Sequence, residues 1–264
     1  MKDIQEQLKT RWLGRNYIYR EEVSSTNDVM KQLADEKAPM GTVVLAETQT
    51  AGRGRRGRPW ESPQGKGLWF SLLLRPSLSP KEASALTLVT AVGLCRGLDY
   101  YPGLGVAIKW PNDILCDGKK LCGILSEMNA EPEKLHYAII GVGLNLQSEY
   151  LSETVAPIAV GIEEILQEDV ERGLLLCRLL QGLESAYDEF FKNGFDLLRQ
   201  EWEERSMVVG KNVQVVTVNG DLDGVALGLS NEGFLRVKLE SGKVAHVISG
   251  DVHIMGDGRC NHEC

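Results

Sequence analysis

The sequence lacks a long uncharged hydrophobic run. No segment approaches the roughly 20 apolar residues that are needed to cross a bilayer. Residues 1–7 contain no apolar stretch of the kind found in secretory signals. We therefore expect a cytoplasmic protein without a membrane partner.

Cysteine is sparse, with six residues scattered over a chain of 264. Without an export signal, such cysteines are typical of reduced thiols and argue against a disulfide framework. The last two belong to the group Cys260-Asn-His262-Glu-Cys264, which contains residue types that bind zinc. Because this group stands at the extreme end of the chain, we interpret 257–264 as a disordered tail.

Two common phosphate-binding motifs are also missing. The chain has no Gly-x4-Gly-Lys-Ser/Thr sequence, which argues against a P-loop nucleotidase. Gly52-x-Gly54-x-x-Gly57 matches the dinucleotide-binding fingerprint in form, but that fingerprint requires a helix to begin there. Pro59 and Pro63 prevent such a helix, so we exclude a Rossmann site.

Positive charge is in deficit, since the formal net charge is −8 and the pI is near 5.2. This balance argues against nucleic-acid binding by the whole surface. One segment is the exception: Gly52–Trp60, here called the arginine loop, contains four arginines, three glycines and no acid. Guanidinium groups pair bidentately with phosphates and carboxylates, and indoles stack on purines. The loop therefore predicts an anionic partner, either a nucleic-acid backbone or a small molecule.

The hydrophobic pattern predicts an α+β chain whose composition changes near Met207. We predict one domain over 1–206 and a small β-barrel over 207–256, where short alternating strands are separated by turns. Ser25 or Thr26 is expected to cap the first long helix. The predicted helices cover 4–13, 28–35, 81–100 and much of 158–205, and the predicted strands of the first domain cover 17–23, 42–47, 68–74, 105–110, 120–128 and 135–142.

Three further motifs are weak when each is taken alone. Lys109-Trp110-Pro111-Asn112-Asp113 presents a cation and a carboxylate on a rigid turn, which suits a phosphate with Mg²⁺ and equally suits a salt-bridged turn. Lys120 beside an apolar strand is usually a solvated edge charge. Gly141-Val-Gly143-Leu-Asn145 is usually an ordinary glycine turn.

Together, and in this order, the motifs resemble those of biotin–protein ligases. The family pattern of Ser-Thr-Asn, Gly-Arg-Gly-Arg-x-Gly, Lys-Trp-Pro-Asn-Asp, Lys-Leu-x-Gly-Ile and Gly-x-Gly-x-Asn is matched at 25–27, 52–57, 109–113, 120–124 and 141–145. The resemblance spans about 15–255. It implies a mixed-sheet catalytic domain of the biotin/lipoate-ligase type, similar to class II synthetases, followed by an SH3-like barrel.

The resemblance also implies an activity. Such enzymes form biotinyl-5′-AMP from biotin and ATP with Mg²⁺, and they then transfer biotin to one lysine of a biotin carboxyl carrier domain. A homodimer is plausible by the same resemblance. Because the Ser-Thr-Asn motif begins at residue 25, we expect a ligase without the DNA-binding domain of bifunctional members.

The family pattern assigns a role to each matching residue. Arg53, Arg55, Lys109, Asp113 and Lys120 would be catalytic, and Asp113 would also bind Mg²⁺. Biotin would contact Ser25, Thr26, Asn27, Gln49, Arg53, Gly54, Arg55 and Lys120, and the nucleotide would contact Arg55, Arg56, Arg58, Trp60, Lys109, Asn112 and Asn145.

Two alternatives stay open at this point. A lipoate or octanoate ligase would share the fold, but its Arg-Arg-x-Ser-Gly-Gly-Gly motif is absent. A nucleic-acid-binding module would need a basic barrel, whereas residues 207–255 carry acids and bases in similar number. We also expect segment 52–66 to be poorly ordered without ligand and to close over the reactive intermediate.

Overall fold

A computed structural model describes residue 1 and residues 4–255. A mixed sheet of seven strands forms its centre, in the spatial order β1-β2-β3-β7-β6-β5-β4. The pair β1–β2 is parallel and the other pairs are antiparallel. The strands are β1 Tyr17–Val23, β2 Val43–Gln49, β3 Gly67–Leu74, β4 Val106–Lys109, β5 Asp113–Cys116, β6 Lys119–Glu131 and β7 Lys134–Asn145.

Helices cover both faces of this sheet. The first packs on one face, where Met30 and Ala34 meet Leu73 and Ile139 in a small apolar cluster. The larger helices pack on the other face and enclose the main core. The helices are α1 Thr26–Asp35, α2 Pro80–Ala83, α3 Leu86–Leu98, α4 Ile162–Leu166, α5 Arg172–Asn193 and α6 Asp196–Glu204.

The two longest helices, α3 and α5, pack unusually closely. A Cβ placed on Gly93 would lie 2.8 Å from the Leu183 Cα, and one on Gly182 would lie 2.3 Å from the Gly93 carbonyl oxygen. Glycine is therefore required where the backbones of these two helices approach each other.

A second sheet of five antiparallel strands follows, in the order β11-β10-β9-β8-β12. It confirms the predicted α+β class with a separate C-terminal β unit. The domain boundary near residue 206 stays a prediction. The strands are β8 Asn212–Thr217, β9 Gly220–Leu229, β10 Leu235–Leu239, β11 Val244–Val247 and β12 Asp251–Ile254.

The predicted amphipathic helix over 4–13 is wrong. These residues form turns, although Ile4, Leu8 and Leu13 are buried as the pattern suggested. The reason is the buried carboxylate of Glu184, which accepts hydrogen bonds from the backbone N–H groups of Arg11, Trp12 and Leu13. These contacts anchor an irregular segment on α5.

The long predicted helices are interrupted. The stretch 81–100 is divided because the Ser84 hydroxyl, at the break between α2 and α3, donates to carbonyl oxygens of Lys81 and Glu232. The stretch 158–205 forms three helices, with left-handed backbone at Gln167 and Gly194 between them. Ser25 occupies the N-cap position of α1 as predicted, but its side chain makes no capping hydrogen bond, and α1 begins two residues earlier than the sequence indicated.

The tail 257–264 and its Cys-Asn-His-Glu-Cys group lie outside the described residues. Within residues 1 and 4–255, no helix is long and apolar enough to cross a membrane.

Candidate active site

A buried polar cluster forms where β1 ends and α1 begins. The Thr26 backbone N–H and hydroxyl both donate to Gln49 Oε1, at 2.9 and 3.2 Å. The Ser71 hydroxyl lies 2.7 Å from Thr26 Oγ1 and 2.6 Å from Asn27 Oδ1. Ser25 is buried beside them. The four predicted biotin-head residues, at 25–27 and 49, are therefore brought together.

Asn27 connects this cluster to the central strands. Its Nδ2 donates to Glu127 Oε2 at 2.5 Å. A Cβ on Gly141 of β7 would lie 2.5 Å from Asn27 Oδ1, so only glycine leaves room for the amide. The first glycine of the Gly-x-Gly-x-Asn motif thus allows a polar side chain to lie against the sheet.

Trp60 lies on the middle of the sheet. Its ring packs on Gly123 of β6 and Gly143 of β7, which are direct cross-strand partners. Lys120 Nζ lies 5.2 Å from the ring centroid, within cation–π range. Trp69 meets the Trp60 ring edge-on at 6.5 Å. The tryptophan of the arginine loop therefore packs flat against the two central strands.

The Lys-Trp-Pro-Asn-Asp motif forms the turn between β4 and β5. Lys109 and Asp113 are cross-strand partners in this hairpin, so both side chains project from the same face. The Asp113 carboxylate lies 2.9 Å from Lys120 Nζ. Asn112 Nδ2 donates to the Ile124 carbonyl oxygen, which fixes its amide so that Oδ1 accepts from Arg55 at 3.1 Å.

Asn145 ends β7 beside this charged group. Its Nδ2 donates to the Lys120 carbonyl oxygen at 3.4 Å, and its Oδ1 accepts from the Tyr150 hydroxyl at 3.2 Å. Burial raises the pKa of Tyr150, so this phenol stays a neutral hydrogen-bond donor. Asn145 is therefore held beside the strand that carries Lys120.

The arginine loop is held by carboxylates of this chain. Arg53 makes a bidentate contact with Asp28 on α1, at 2.8 and 2.5 Å. The hydrogen bond from Arg53 lowers the pKa of Asp28, and the same bond raises the pKa of Arg53. Residues Arg55–Gly57 form a short 3₁₀ turn. Arg56, in this turn, and Arg58, which follows it, donate to Asp251 of β12.

Arg55 differs from its neighbours because it is more deeply placed. Burial lowers its pKa, and the negative charge of Asp251 opposes that shift. Its guanidinium donates to Asn112 and Ser249 at 3.1 Å each. Arg55 is therefore the arginine of the loop that faces the Lys-Trp-Pro-Asn-Asp turn.

The assembled residues lie along one face of the sheet at β6 and β7, and we call this surface the cleft. Its uncharged end is the cluster of Thr26, Gln49 and Ser71 with Asn27, whose amide also contacts the Glu127 carboxylate. Its cationic end is marked by Lys120. Lys120 and Glu127 both belong to β6, with six residues between them. Trp60 covers Gly123 between the two ends. The arrangement suits a long ligand with a polar, uncharged head and an anionic tail.

Sequence reasoning missed several residues of this cleft. Ser71 is the one polar residue in a strand of eight buried residues, a signal that marks a functional hydroxyl. Glu127 and Asp28 gave no such signal. Asp251 belongs to no motif of the sequence.

Two known families match this chain, one over the part that contains the seven-stranded sheet and the other over the part that contains the five-stranded sheet. Residues 19–145 match the Biotin/lipoate A/B protein ligase family. Residues 208–255 match the Biotin protein ligase C terminal domain.

Individual relatives agree over nearly the whole length. The bifunctional ligase/repressor BirA of Bacillus spizizenii is 37% identical over 96% of this chain and 78% of its own. The biotin–[acetyl-CoA-carboxylase] ligase of Mycobacterium tuberculosis is 32% identical over 88% of this chain and 86% of its own. A biotin protein ligase from Aquifex aeolicus, solved in complex with biotin and ATP, superposes with a TM-score of 0.77 at 29% identity, covering 90% of this chain and 98% of that one. As the sequence motifs predicted, the chain belongs to the biotin protein ligase family.

Proposed function

We propose that the protein joins biotin to ATP to form biotinyl-5′-AMP and pyrophosphate, and then transfers biotin to a lysine of a carboxylase carrier domain. One observation supports this most strongly: the cleft joins an uncharged hydrogen-bonding end to a cationic end along one strand. Relatives with this fold are named biotin–[acetyl-CoA-carboxylase] ligases, and a solved neighbour binds biotin and ATP.

The uncharged end suits the ureido head of biotin. Thr26, Asn27, Gln49 and Ser71 offer hydroxyl and amide groups, each of which can donate and accept hydrogen bonds. Buried polar groups of this kind discriminate strongly against analogues that lack the matching polar atoms. Because lipoate lacks a ureido group, we expect it to be rejected here.

The cationic end suits the reacting atoms. The biotin carboxylate must approach the α-phosphate of ATP, and both are anions. Lys109, Lys120 and Arg55 can offset this repulsion and stabilise the charge that develops in the transition state. Arg56, Arg58, Asn112, Asn145 and Trp60 stay predicted nucleotide contacts.

Asp113 is the residue that we propose for Mg²⁺. Its buried Oδ1 lies 2.9 Å from Lys120 Nζ but, among the described residues, completes no hydrogen bond. A carboxylate has about four lone-pair sites, so pairing with Lys120 leaves others for a cation, which fits a metal held by one carboxylate together with nucleotide phosphates. When bound there, Mg²⁺ would neutralise phosphate charge.

The decisive experiment is biotin-dependent exchange of labelled pyrophosphate into ATP. We expect exchange with biotin and none with lipoate or octanoate. Exchange with lipoate alone would overturn the proposal and leave the fold standing. Transfer of biotin to a purified carrier domain then tests the second half-reaction.

Three further properties are proposed with this function. We place the enzyme in the cytoplasm with its carrier substrate. We propose a homodimer through a sheet edge, because β1 pairs on one side only within the described chain. We expect no DNA binding through the arginine loop, since the net charge is −8 and the C-terminal sheet beside the loop is not basic.

A further inference from the structure

We infer that Asp251, in the C-terminal sheet, is a positioning residue that holds the arginine loop over the cationic end of the cleft. By holding the loop, it sets how long the adenylate stays bound. The effect of Asp251 on the adenylate rests on the proposed function. Its effect on the position of the loop rests on the structure alone.

The geometry centres on a single carboxylate. Asp251 Oδ2 lies 2.9 Å from Arg56 Nη1 and 3.0 Å from Arg58 Nη2. Its Oδ1 lies 3.6 Å from Arg55 Nη1. The Asp251 side chain is 21% exposed, so solvent screens these contacts only in part. Three guanidinium groups from one short turn therefore converge on one partly buried anion.

These distances show that the three arginines have different roles. Arg56 and Arg58 are the more exposed pair and take the short contacts with Asp251. Arg55 is farther from Asp251 and donates to Asn112, whose neighbour Asp113 contacts Lys120. Asp251 thus fixes the outer side of the turn and leaves the inner arginine directed at the cleft.

Charge makes this anchor necessary. Three arginines within four residues repel one another, and glycines at 54 and 57 give the loop little stiffness of its own. A carboxylate at their centre removes much of the repulsion. It stands on β12, where backbone pairing of Asp251 with Val216 holds it in place. The loop therefore takes its position from a strand about 195 residues away in sequence.

The test uses the full-length protein with three substitutions. Asp251→Asn removes the charge at nearly constant size. Asp251→Glu keeps the charge and lengthens the side chain. Asp223→Asn removes an exposed carboxylate from the same sheet as a matched control. Trypsin cleavage within the arginine loop reports its anchorage, and release of labelled biotinyl-AMP into solution reports retention.

We expect Asp251→Asn to speed loop cleavage at least five-fold and adenylate release about ten-fold, with biotin affinity within two-fold of the wild type. Asp251→Glu should recover most of both losses, and Asp223→Asn should match the wild type. Raising the salt concentration should speed cleavage of the wild-type loop more than that of Asp251→Asn, which keeps only the Arg53–Asp28 ion pair of the loop.

Two results would overturn the inference. One is wild-type loop cleavage in Asp251→Asn. The other is a Glu variant as defective as the Asn variant, which would point to strand packing rather than charge. If the wild type shows no biotin-dependent exchange, the proposed function fails, and the cleavage experiment still decides the anchoring role.

Discussion

At the scale of single residues, the cleft depends on glycines, which have no side chain, as much as on its polar residues. Gly123 and Gly143 are cross-strand partners, and together they make a flat surface on which the Trp60 ring lies. A methyl group on either would fill the space of the ring. The glycine motif at 141–145, weak when taken alone in the sequence, therefore has a specific structural reason.

Gly143→Ala tests this surface. Its Cβ would lie 2.5 Å from the Trp60 indole, so the ring must move away from Lys120. Overpacking of this kind costs about 1–3 kcal/mol, and we expect biotin-dependent exchange to fall about ten-fold or more. Tryptophan fluorescence should report the displaced ring. Gly105→Ala, which faces open space, is the control and should behave as wild type; equal activity of both variants would contradict the role.

Single residues also show which contacts of the site could be predicted from the sequence and which could not. The pairs Thr26–Gln49 and Lys120–Asp113 connect residues that the family motifs had already marked. Asp251 carries no local motif, and its arginine partners are remote in sequence. A contact between distant surface charges leaves no periodic or spacing signal, so only the fold reveals it.

At the scale of elements, strands were predicted better than helices. The bounds of β1 agree with the prediction, because its residues favour extended structure and turn residues follow. The helices were predicted too long, because periodicity does not detect a break caused by a side chain such as Ser84 or by a left-handed residue such as Gly194. At Ser84, the position where the helix ends depends on a contact with Glu232, which is remote in sequence.

The α3–α5 contact gives a prediction at this scale. Gly93→Ala should gain up to about 1 kcal/mol in helix propensity. It should lose more, roughly 1–3 kcal/mol, because the new Cβ would lie 2.8 Å from the Leu183 backbone. Urea denaturation should show a lower midpoint than wild type. Gly105→Ala, outside the helices and facing open space, controls for the added methyl group alone. A Gly93→Ala protein at least as stable as wild type would refute the close approach.

At the scale of the whole molecule, one apolar core runs through both sheets. It includes Phe70 and Leu179 of the catalytic part together with Val213 and Leu235 of the C-terminal sheet. The contacts include Gly233, where an added Cβ would lie 2.7 Å from the Leu88 side chain of α3. The C-terminal sheet is therefore fixed to the rest of the chain, as an anchor for the arginine loop must be.

The reactivity of the buried cysteine thiols tests whether this core is tightly packed. The four described cysteines, at 95, 116, 122 and 177, are free and buried. Burial raises the pKa of Cys95 to about 12 and that of Cys177 to about 11. Since the thiolate is the reactive form, their peptides should resist iodoacetamide at pH 8 in the native protein and react fully in denaturant. Mass spectrometry gives the readout, and rapid native labelling of either residue would contradict the packing.

The parallel pairing of β1 with β2 has a consequence for recognition. Because these two strands run in the same direction, the chain must cross between them, and it does so through α1. The first turn of that helix consequently opens onto the uncharged end of the cleft. The aligned peptide dipoles of a helix place about half a positive charge at this end. A carbonyl oxygen bound there would be stabilised by the helix dipole, which comes from the backbone and therefore persists when the side chains at 25–27 are substituted.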